Sequence, residues 1–304
     1  MAAYISAQDS LCIIEYNVEN LFHPQHDSLK DDWEFTPEGL AHWNNYRYYR
    51  KVEQLSRVIT NICGIFSPTI VGLCEVENST CLSQLAQRML HYPLKPILYE
   101  SLDKRGIDVG ILFDSTQVDC LSSRPIRVAE PSDGFVTRDV LYACFRVRPK
   151  GDTLHLFMCH LPSQRGGAAA SEWKRQLAKS KVLTVIDSLR AVSPNAAIIV
   201  MGDMNTKPKE DMPDLHNCML EFSRQGRGTH RYQGRWTCLD QVYLSPALTD
   251  KTAVAIYAPD WLLERDKKYL GFKPKRTLTG YRYNKNGFSD HLPVVIKIEH
   301  KPIY

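Results

Sequence analysis

The stretch IIVMGDMNTKP, residues 198–208, constrains this chain most. Its apolar run, from Ile198 to Met201, stops at Gly202. Asp203 and Asn205 follow one residue apart, and Pro208 closes the segment. A short apolar run bounded by turn residues reads as a buried strand. Here the strand ends by setting an acid beside an amide. Residues i and i+2 of an extended segment share a face, so Asp203 and Asn205 are expected side by side on one face.

Other apolar runs end in the same kind of residue. LCIIEYN (11–17) stops at Asn17, with Glu19 just beyond. TIVGLCEVEN (69–78) carries Glu75, and the strand over 153–160 ends at His160. WTCLDQVYLS (236–245) carries Asp240 in mid-strand. GFSDHLP presents Ser289, Asp290 and His291 before the last strand, HLPVVIKIEH (291–300). A carboxylate beside a buried strand is costly unless it is paired or binds an ion. Taken singly, each of these has an ordinary reading: an Asx turn, a helix cap, a hydrogen-bonded histidine. Taken together, one arrangement explains them all, a site where strand ends converge.

Between these runs lie further strands at 94–99, 107–113 and 139–147, the last joined to 153–160 through the turn PKGD. Helical spacing of Val52, Leu55, Val58, Ile59 and Ile62 predicts a helix over 42–62. STCLSQLAQRML (79–90) reads as a helix with a Ser/Thr cap, and 166–190 as a long helix. Residues 23–39 are polar and turn-rich, a loop. Tyr46 and Tyr49 share a helix face, which is expected to be buried rather than a stacking platform for bases. No repeat, low-complexity tract or linker divides the chain. The expectation is one α/β (α+β) domain over 1–304, with residues 1–10 a flexible N-terminus. Its architecture is a four-layer α/β/β/α sandwich of two packed mixed β-sheets flanked by helices.

Composition narrows the function classes. With 43% hydrophobic and 24% charged residues, the 304-residue chain is globular rather than disordered. No apolar run approaches the roughly 18 residues of a membrane span. The net charge of +4 permits an anionic substrate, yet the basic residues are scattered apart from a loose cluster from Lys267 to Arg282. Nucleic-acid binders usually carry a denser stripe. Nine cysteines without a C-x-x-C pair read as free, mostly buried thiols and give no zinc site. MAAYISAQDS has no positive n-region; its small-residue ending would also suit the tail of a trimmed signal peptide. Localisation therefore stays open between cytoplasm and export with the signal peptide removed. Carboxylate and amide oxygens favour Mg²⁺ or Mn²⁺ over zinc, and two histidines can supply proton chemistry near neutral pH.

The ordered set N-V-x-N-L, E-V, H-x-P-S, G-D-x-N, L-D-x-V and S-D-H-x-P, spanning residues 12–296, resembles the endonuclease/exonuclease/phosphatase superfamily. That group includes pancreatic deoxyribonuclease, abasic-site endonucleases, neutral sphingomyelinases and inositol polyphosphate 5-phosphatases. The resemblance implies a Mg²⁺- or Mn²⁺-dependent hydrolase of phosphate esters using in-line attack by water. It implies Glu75 as main metal carboxylate, with Asn17 and Asp290 assisting. It implies Asp203 near the attacking water, Asn205 donating to a phosphate oxygen, and Asp240 orienting His291, which acts as general base or phosphate binder. His160 matches the histidine of the deoxyribonuclease and sphingomyelinase branches, and abasic endonucleases depart from that pattern. Glu19 falls where some members place an acid near the metal. Asp108 is a candidate to orient His160.

Ser163 and Arg165 follow His160 in LPSQRGG, whose glycines precede a helix and offer amides to an anion. Arg138 in GFVTRDV and Arg231 in GRGTHRYQGRW are further candidates for substrate binding. The leading reading is a phosphodiesterase of nuclease-like type acting as a monomer, with nucleic acid an open substrate. The alternative is a phosphomonoesterase on a soluble or lipid phosphate. An inactive binding protein fits less well, because every core position holds a competent residue.

Overall fold

The computed structural model describes residues 10–64, 67–149, 151–164 and 167–299. Residues 1–9 of the expected flexible N-terminus, and Arg165, lie outside them, while Ser10 already belongs to a strand.

Two six-stranded sheets form the centre. The first runs in the order Thr252–Ile256, Val294–Glu299, Ser10–Leu21, Ile70–Val76, Asp108–Asp114, Leu94–Leu98. The second runs His216–Asn217, Asp240–Leu244, Ala197–Asp203, Thr153–His160, Val140–Val147, Val118–Ile126. Each sheet has one parallel pair, 10–21 with 70–76 and 153–160 with 197–203; the other neighbours are antiparallel.

Unbroken apolar runs arise because these strands are covered on both faces. In Ala197–Asp203, Ile199 and Met201 join the core between the sheets, whereas Ile198 and Val200 join a second core. That second core holds Ala178, Val182 and Ile186 of helix α3 (Glu172–Val192). Helices α1 (Asn45–Cys63) and α2 (Ser79–Arg88) cover the outer face of the first sheet. The result is the expected order of helices, sheet, sheet and helix. At the centre, a Cβ on Gly72 would lie 2.4 Å from Met201 Cε and 2.6 Å from Met158 Sδ, so the glycine is what lets those side chains reach the first sheet.

Several local expectations need correction. The cap of α2 is Asn78, whose side chain accepts from Cys81 N, rather than Ser79 or Thr80. Helix α3 starts at Glu172, past the glycine pair, so its N-terminus does not follow those glycines directly. The 236–245 segment is two pieces, Arg235–Thr237 and Asp240–Leu244, and Asp240 opens the second rather than sitting in its middle. Val118–Ile126, whose pattern mixes polar and apolar residues, and Thr252–Ile256, a short apolar run, were not expected. Tyr46 and Tyr49 do share a face, but it is the solvent face, 65% and 54% exposed, while Tyr48 is fully buried. The stripe through Tyr48, Val52, Leu55 and Ile59 sets the buried side and leaves its neighbours outside. All nine cysteines are free thiols.

Candidate active site

Register gathers the first three residues. Asp203 is the Cα partner of His160 on one side and of Asp240 on the other. Three strands therefore end at one level and present a histidine, an acid and an acid abreast. The first sheet adds Asn17 and, one residue past its partner Cys74, Glu75. The pairing slips between Cys74 and Val76, and Glu75 has φ +68°, a left-handed conformation that strands avoid. Glu19, Asn20 and Asn205 are also left-handed, with φ of +53°, +57° and +50°. Such strain costs about 1–3 kcal/mol per residue and gathers where function requires it.

Asn17 joins the two sheets. Its Nδ2 donates to Glu75 Oε1 at 3.3 Å and to Asp203 Oδ2 at 3.1 Å. Glu75 Oε2 accepts from Asn20 N at 2.8 Å, which fixes the carboxylate. Ser289 Oγ donates to Asn17 O at 2.7 Å and accepts from His291 N at 3.1 Å, docking the Ser289–His291 loop onto the first strand. His291 Nδ1 lies 2.7 Å from Asp240 Oδ2. His160 Nε2 lies 3.7 Å from Asp203 Oδ2 and 3.9 Å from Glu75 Oε1.

Other expected partners are not met. Asp203 and Asn205 do not share the face of an extended segment. The chain bends after Asp203, whose Oδ1 accepts from Asn205 N at 2.8 Å, an Asx turn. Asn205 Nδ2 donates to Leu161 O at 2.9 Å, so that amide braces the neighbouring loop. Asp108 does not orient His160: it accepts from Ser101 N at 3.0 Å, and His160 Nδ1 has no hydrogen-bond partner among the described residues. Glu19 does not line the cleft. Its carboxylate accepts from Arg276 Nε at 3.1 Å, Thr277 N at 2.6 Å and Leu278 N at 3.3 Å. Arg231 is committed to Asp266 Oδ2 at 3.0 Å and to Leu270 O at 2.8 Å, bracing the wall of an adjoining pocket. Arg138 reaches His160 O at 3.3 Å and Asp103 Oδ2 at 3.4 Å. Ser163 lines the cleft.

The cleft holds about 460 Å³. Arg105, Arg138, Lys174 and Phe135 line the wall facing the acids. Arg105, Lys174 and Phe135 escaped the sequence reading, and so did two further residues beside the cleft. His230 lies beside His291, ring centroids 4.8 Å apart and tilted by 41°, with Nε2 4.0 Å from Asp290 Oδ2. Arg276 Nη2 lies 3.1 Å from that same oxygen. His230 sits inside GRGTHRYQGRW without a motif of its own, and Arg276 in the loose basic cluster was one cation among many.

Environment separates the histidines. Burial, then Arg138 and Arg105, holds His160 well below the usual histidine range, so it is neutral. Burial acts on His291 too, but Asp240, Asp290 and Asp203 outweigh it and raise its pKa well above the ordinary value, so it is charged at neutral pH. Burial pushes Asp203 up to about 7, with Asp240 and Glu75 adding to the rise against His291. Burial and the charge of His291 push His230 down to about 4. Groups driven apart in this way mark acid and base roles.

A family described as "Endonuclease/Exonuclease/phosphatase family" matches residues 12–300. Solved structures share the fold. TDP2 from Caenorhabditis elegans superposes with a TM-score of 0.61 at 14% identity, over 96% of this chain and 74% of that one. D. rerio TDP2 complexed with a single-strand DNA product gives 0.57 at 17% identity, over 96% and 99%. A mannosyl-6-phosphatase of Bacteroides thetaiotaomicron gives 0.57 at 15% identity, over 94% and 98%. No curated protein matches the chain by sequence.

Proposed function

The chain belongs to the endonuclease/exonuclease/phosphatase family, and from that premise we infer that it is a Mg²⁺- or Mn²⁺-dependent phosphodiesterase of nuclease-like type. The observation that carries this reading is the level row of His160, Asp203 and Asp240, closed from the other sheet by Glu75 and from a loop by His291.

The donor set fits a hard divalent ion. It is built of carboxylate oxygens, with Asn17 turning its Nδ2 to Glu75 and Asp203 and its Oδ1 to Glu19 N, and Asp203 is crowded by Asp240 and Glu75 in a way that a cation would relieve. Glu75 would hold the ion, since Oε2 is pinned by Asn20 N and Oε1 faces His160. When bound, the ion supplies Lewis-acid stabilisation of charge on the phosphate and leaving oxygens. The chain's own residues do the rest. Asp203, poised near neutrality and held by Asn17 and Asn205, orients the attacking water and takes its proton. Charged His291, fixed by Asp240, binds a phosphate oxygen through Nε2. Neutral His160 offers a second contact from the opposite side, and water attacks in line without a covalent enzyme intermediate.

A phosphomonoesterase is the second reading. It is favoured by the three cations in the cleft wall, Arg105, Arg138 and Lys174, which suit a doubly charged ester. Plasmid DNA, bis-p-nitrophenyl phosphate, p-nitrophenyl phosphate, sphingomyelin and inositol phosphates, each assayed with Mg²⁺ or Mn²⁺, separate the two. The expected result is EDTA-sensitive hydrolysis of diesters, lost in His291→Ala. Preference for monoesters selects the second reading. Absence of metal-dependent hydrolysis across the panel rejects both and leaves an inactive binding protein on this fold.

A further inference from the structure

Cys12, near the start of the strand Ser10–Leu21, and Cys63, the last residue of α1, bring their sulfurs to 3.9 Å across 51 residues of sequence. Among the described residues no other two thiols hydrogen-bond to each other. Cys74, Cys81, Cys144, Cys159 and Cys238 are buried. Cys120 and Cys218 are half-buried, and their sulfurs face backbone carbonyls, Ser122 O at 3.6 Å and His216 O at 3.9 Å. Cys12 and Cys63 are half-buried as well, which leaves this one thiol pair open to a small reagent.

Strand register places a cation beside the pair. Cys12 is the antiparallel Cα partner of exposed Lys297, and the side chains of such a pair share a face. The hydrogen bond with Cys63, then the charge of Lys297, holds the Cys12 thiol below the ordinary 9.0 against burial. The same bond, then burial, pushes the Cys63 thiol up. Either sulfur can donate; when Cys12 is the thiolate, Cys63 is the donor. The two are therefore unequal, one suited to attack and the other to resolve. Closing a disulfide takes the sulfurs from 3.9 Å to about 2.05 Å. Cys63 stands at a helix end, where the backbone adjusts most readily.

The same strand and helix meet again at the loop that carries His291. Ser289 Oγ donates to Asn17 O on the strand, and Lys51 Nζ of α1 donates to Phe288 O. We propose that Cys12 and Cys63 form a redox site which low-molecular-weight disulfides oxidise, closing a bond that staples the first strand to α1. The Cys12 thiolate attacks one sulfur of the small disulfide, so a mixed disulfide forms on Cys12 and one small thiolate leaves. Cys63 then loses its proton and attacks Cys12 Sγ, which forms the protein disulfide and releases the second small thiolate. Two protein thiols are oxidised, one small disulfide is reduced to two thiols, and those take up the two protons. Neither sulfur lines the cleft, so the exchange is independent of the proposed hydrolysis.

Incubation of the reduced, folded protein with oxidised glutathione, followed by alkylation and mass spectrometry of the whole chain and its peptides, tests the assignment. The expected product is lighter by two hydrogens, with Cys12 joined to Cys63 and the other seven thiols alkylated. Cys63→Ser should stop at a glutathione adduct on Cys12. Cys12→Ser should react at Cys63 at least about tenfold more slowly. In the Cys63→Ser background, Lys297→Gln should slow adduct formation about twofold or more. Thermal unfolding of the oxidised protein should lie about 5 °C or more above that of the reduced protein. A chain that keeps all nine thiols, or that modifies another cysteine first, overturns the assignment. Reaction through Cys63 as fast as through Cys12 overturns the division of roles. A Cys12–Cys63 bond that leaves the unfolding temperature unchanged overturns the staple, and that comparison uses the unaltered chain, so it stands even if the serine variants misfold.

Discussion

Asp240 Oδ2 lies 2.7 Å from His291 Nδ1, across 51 residues of sequence and between the two sheets. Asp240 is fully buried and His291 nearly so, which makes the pair a charge-assisted hydrogen bond shielded from water. Burial alone would strip the proton from His291; Asp240 is the strongest influence that keeps it.

Replacing Asp240 by Asn therefore lets burial prevail, and His291 becomes neutral at pH 7. We expect kcat/KM at pH 7 to fall by ~10²–10⁴-fold. The alkaline limb of the pH–rate profile should move to lower pH, with activity partly recovered on acidification. A profile that keeps its alkaline limb in place would argue against a charged His291.

Removal of divalent ions by EDTA should abolish hydrolysis, and Mg²⁺ or Mn²⁺ should restore it. Glu75→Gln should need at least about tenfold more ion for half-maximal activity. An ion titration of both proteins decides this. Coincident curves would remove Glu75 from the metal site.

Glu15 is fully buried on the strand Ser10–Leu21, and neither of its oxygens has a hydrogen-bond partner among the described residues. Burial, then Asp240 and Asp203, raises its pKa well above the ordinary 4.5. The folded state thus holds a proton that the unfolded chain releases near 4.5. The stability this contributes is complete below that pH and erodes as pH rises through the folded value. Glu15→Gln has no proton to lose, so its unfolding free energy should decline less between pH 5 and pH 8. Urea denaturation at three pH values measures the difference, and parallel slopes would show Glu15 to be charged in the fold.

Gly202 has φ +136°, and a Cβ there would lie 1.9 Å from Cys159 O on the adjacent strand. Both the conformation and the backbone contact forbid a side chain. Gly202→Ala should destabilise the protein by about 3 kcal/mol or more, read as a shift in denaturation midpoint. A loss under about 1 kcal/mol would mean that the strand end can relax.

The exposed and buried tyrosines of α1 should separate cleanly. Tyr48→Ala removes a buried ring whose hydroxyl donates to Gln84 Oε1 at 2.7 Å, and should cost about 3–5 kcal/mol. Tyr46→Ala should stay within about 0.5 kcal/mol of the parent. Equal losses on thermal unfolding would restore the buried-face reading of Tyr46.

The sandwich was legible because local signals repeat along the chain. Apolar runs such as Ile198–Met201 can be buried on both faces only in a covered sheet, and the stripe of Val52, Leu55 and Ile59 has helical spacing. Val118–Ile126 escaped because much of it is solvent-facing and its pattern mixed, whereas Thr252–Ile256 is a five-residue, half-exposed edge strand whose short apolar run carries no polar end to mark it. Glu75, His160, Asp203, Asp240 and His291 stood out because polar groups at the ends of apolar runs are costly unless used.

Partnerships within the site were not legible in this way. Asp108 and Glu19 looked equivalent to the other acids, yet one holds the Ser101 amide and the other holds Arg276. His230 and Arg276 carried no local mark at all. The chain by itself determined which segments are strands and helices and which of their ends are polar, because periodicity and burial cost are properties of neighbours in sequence. Tertiary structure decided which acid meets which cation. The Arg276–Glu19 contact spans 257 residues, and it depends on sheet register and loop path, to which no run of adjacent residues is sensitive.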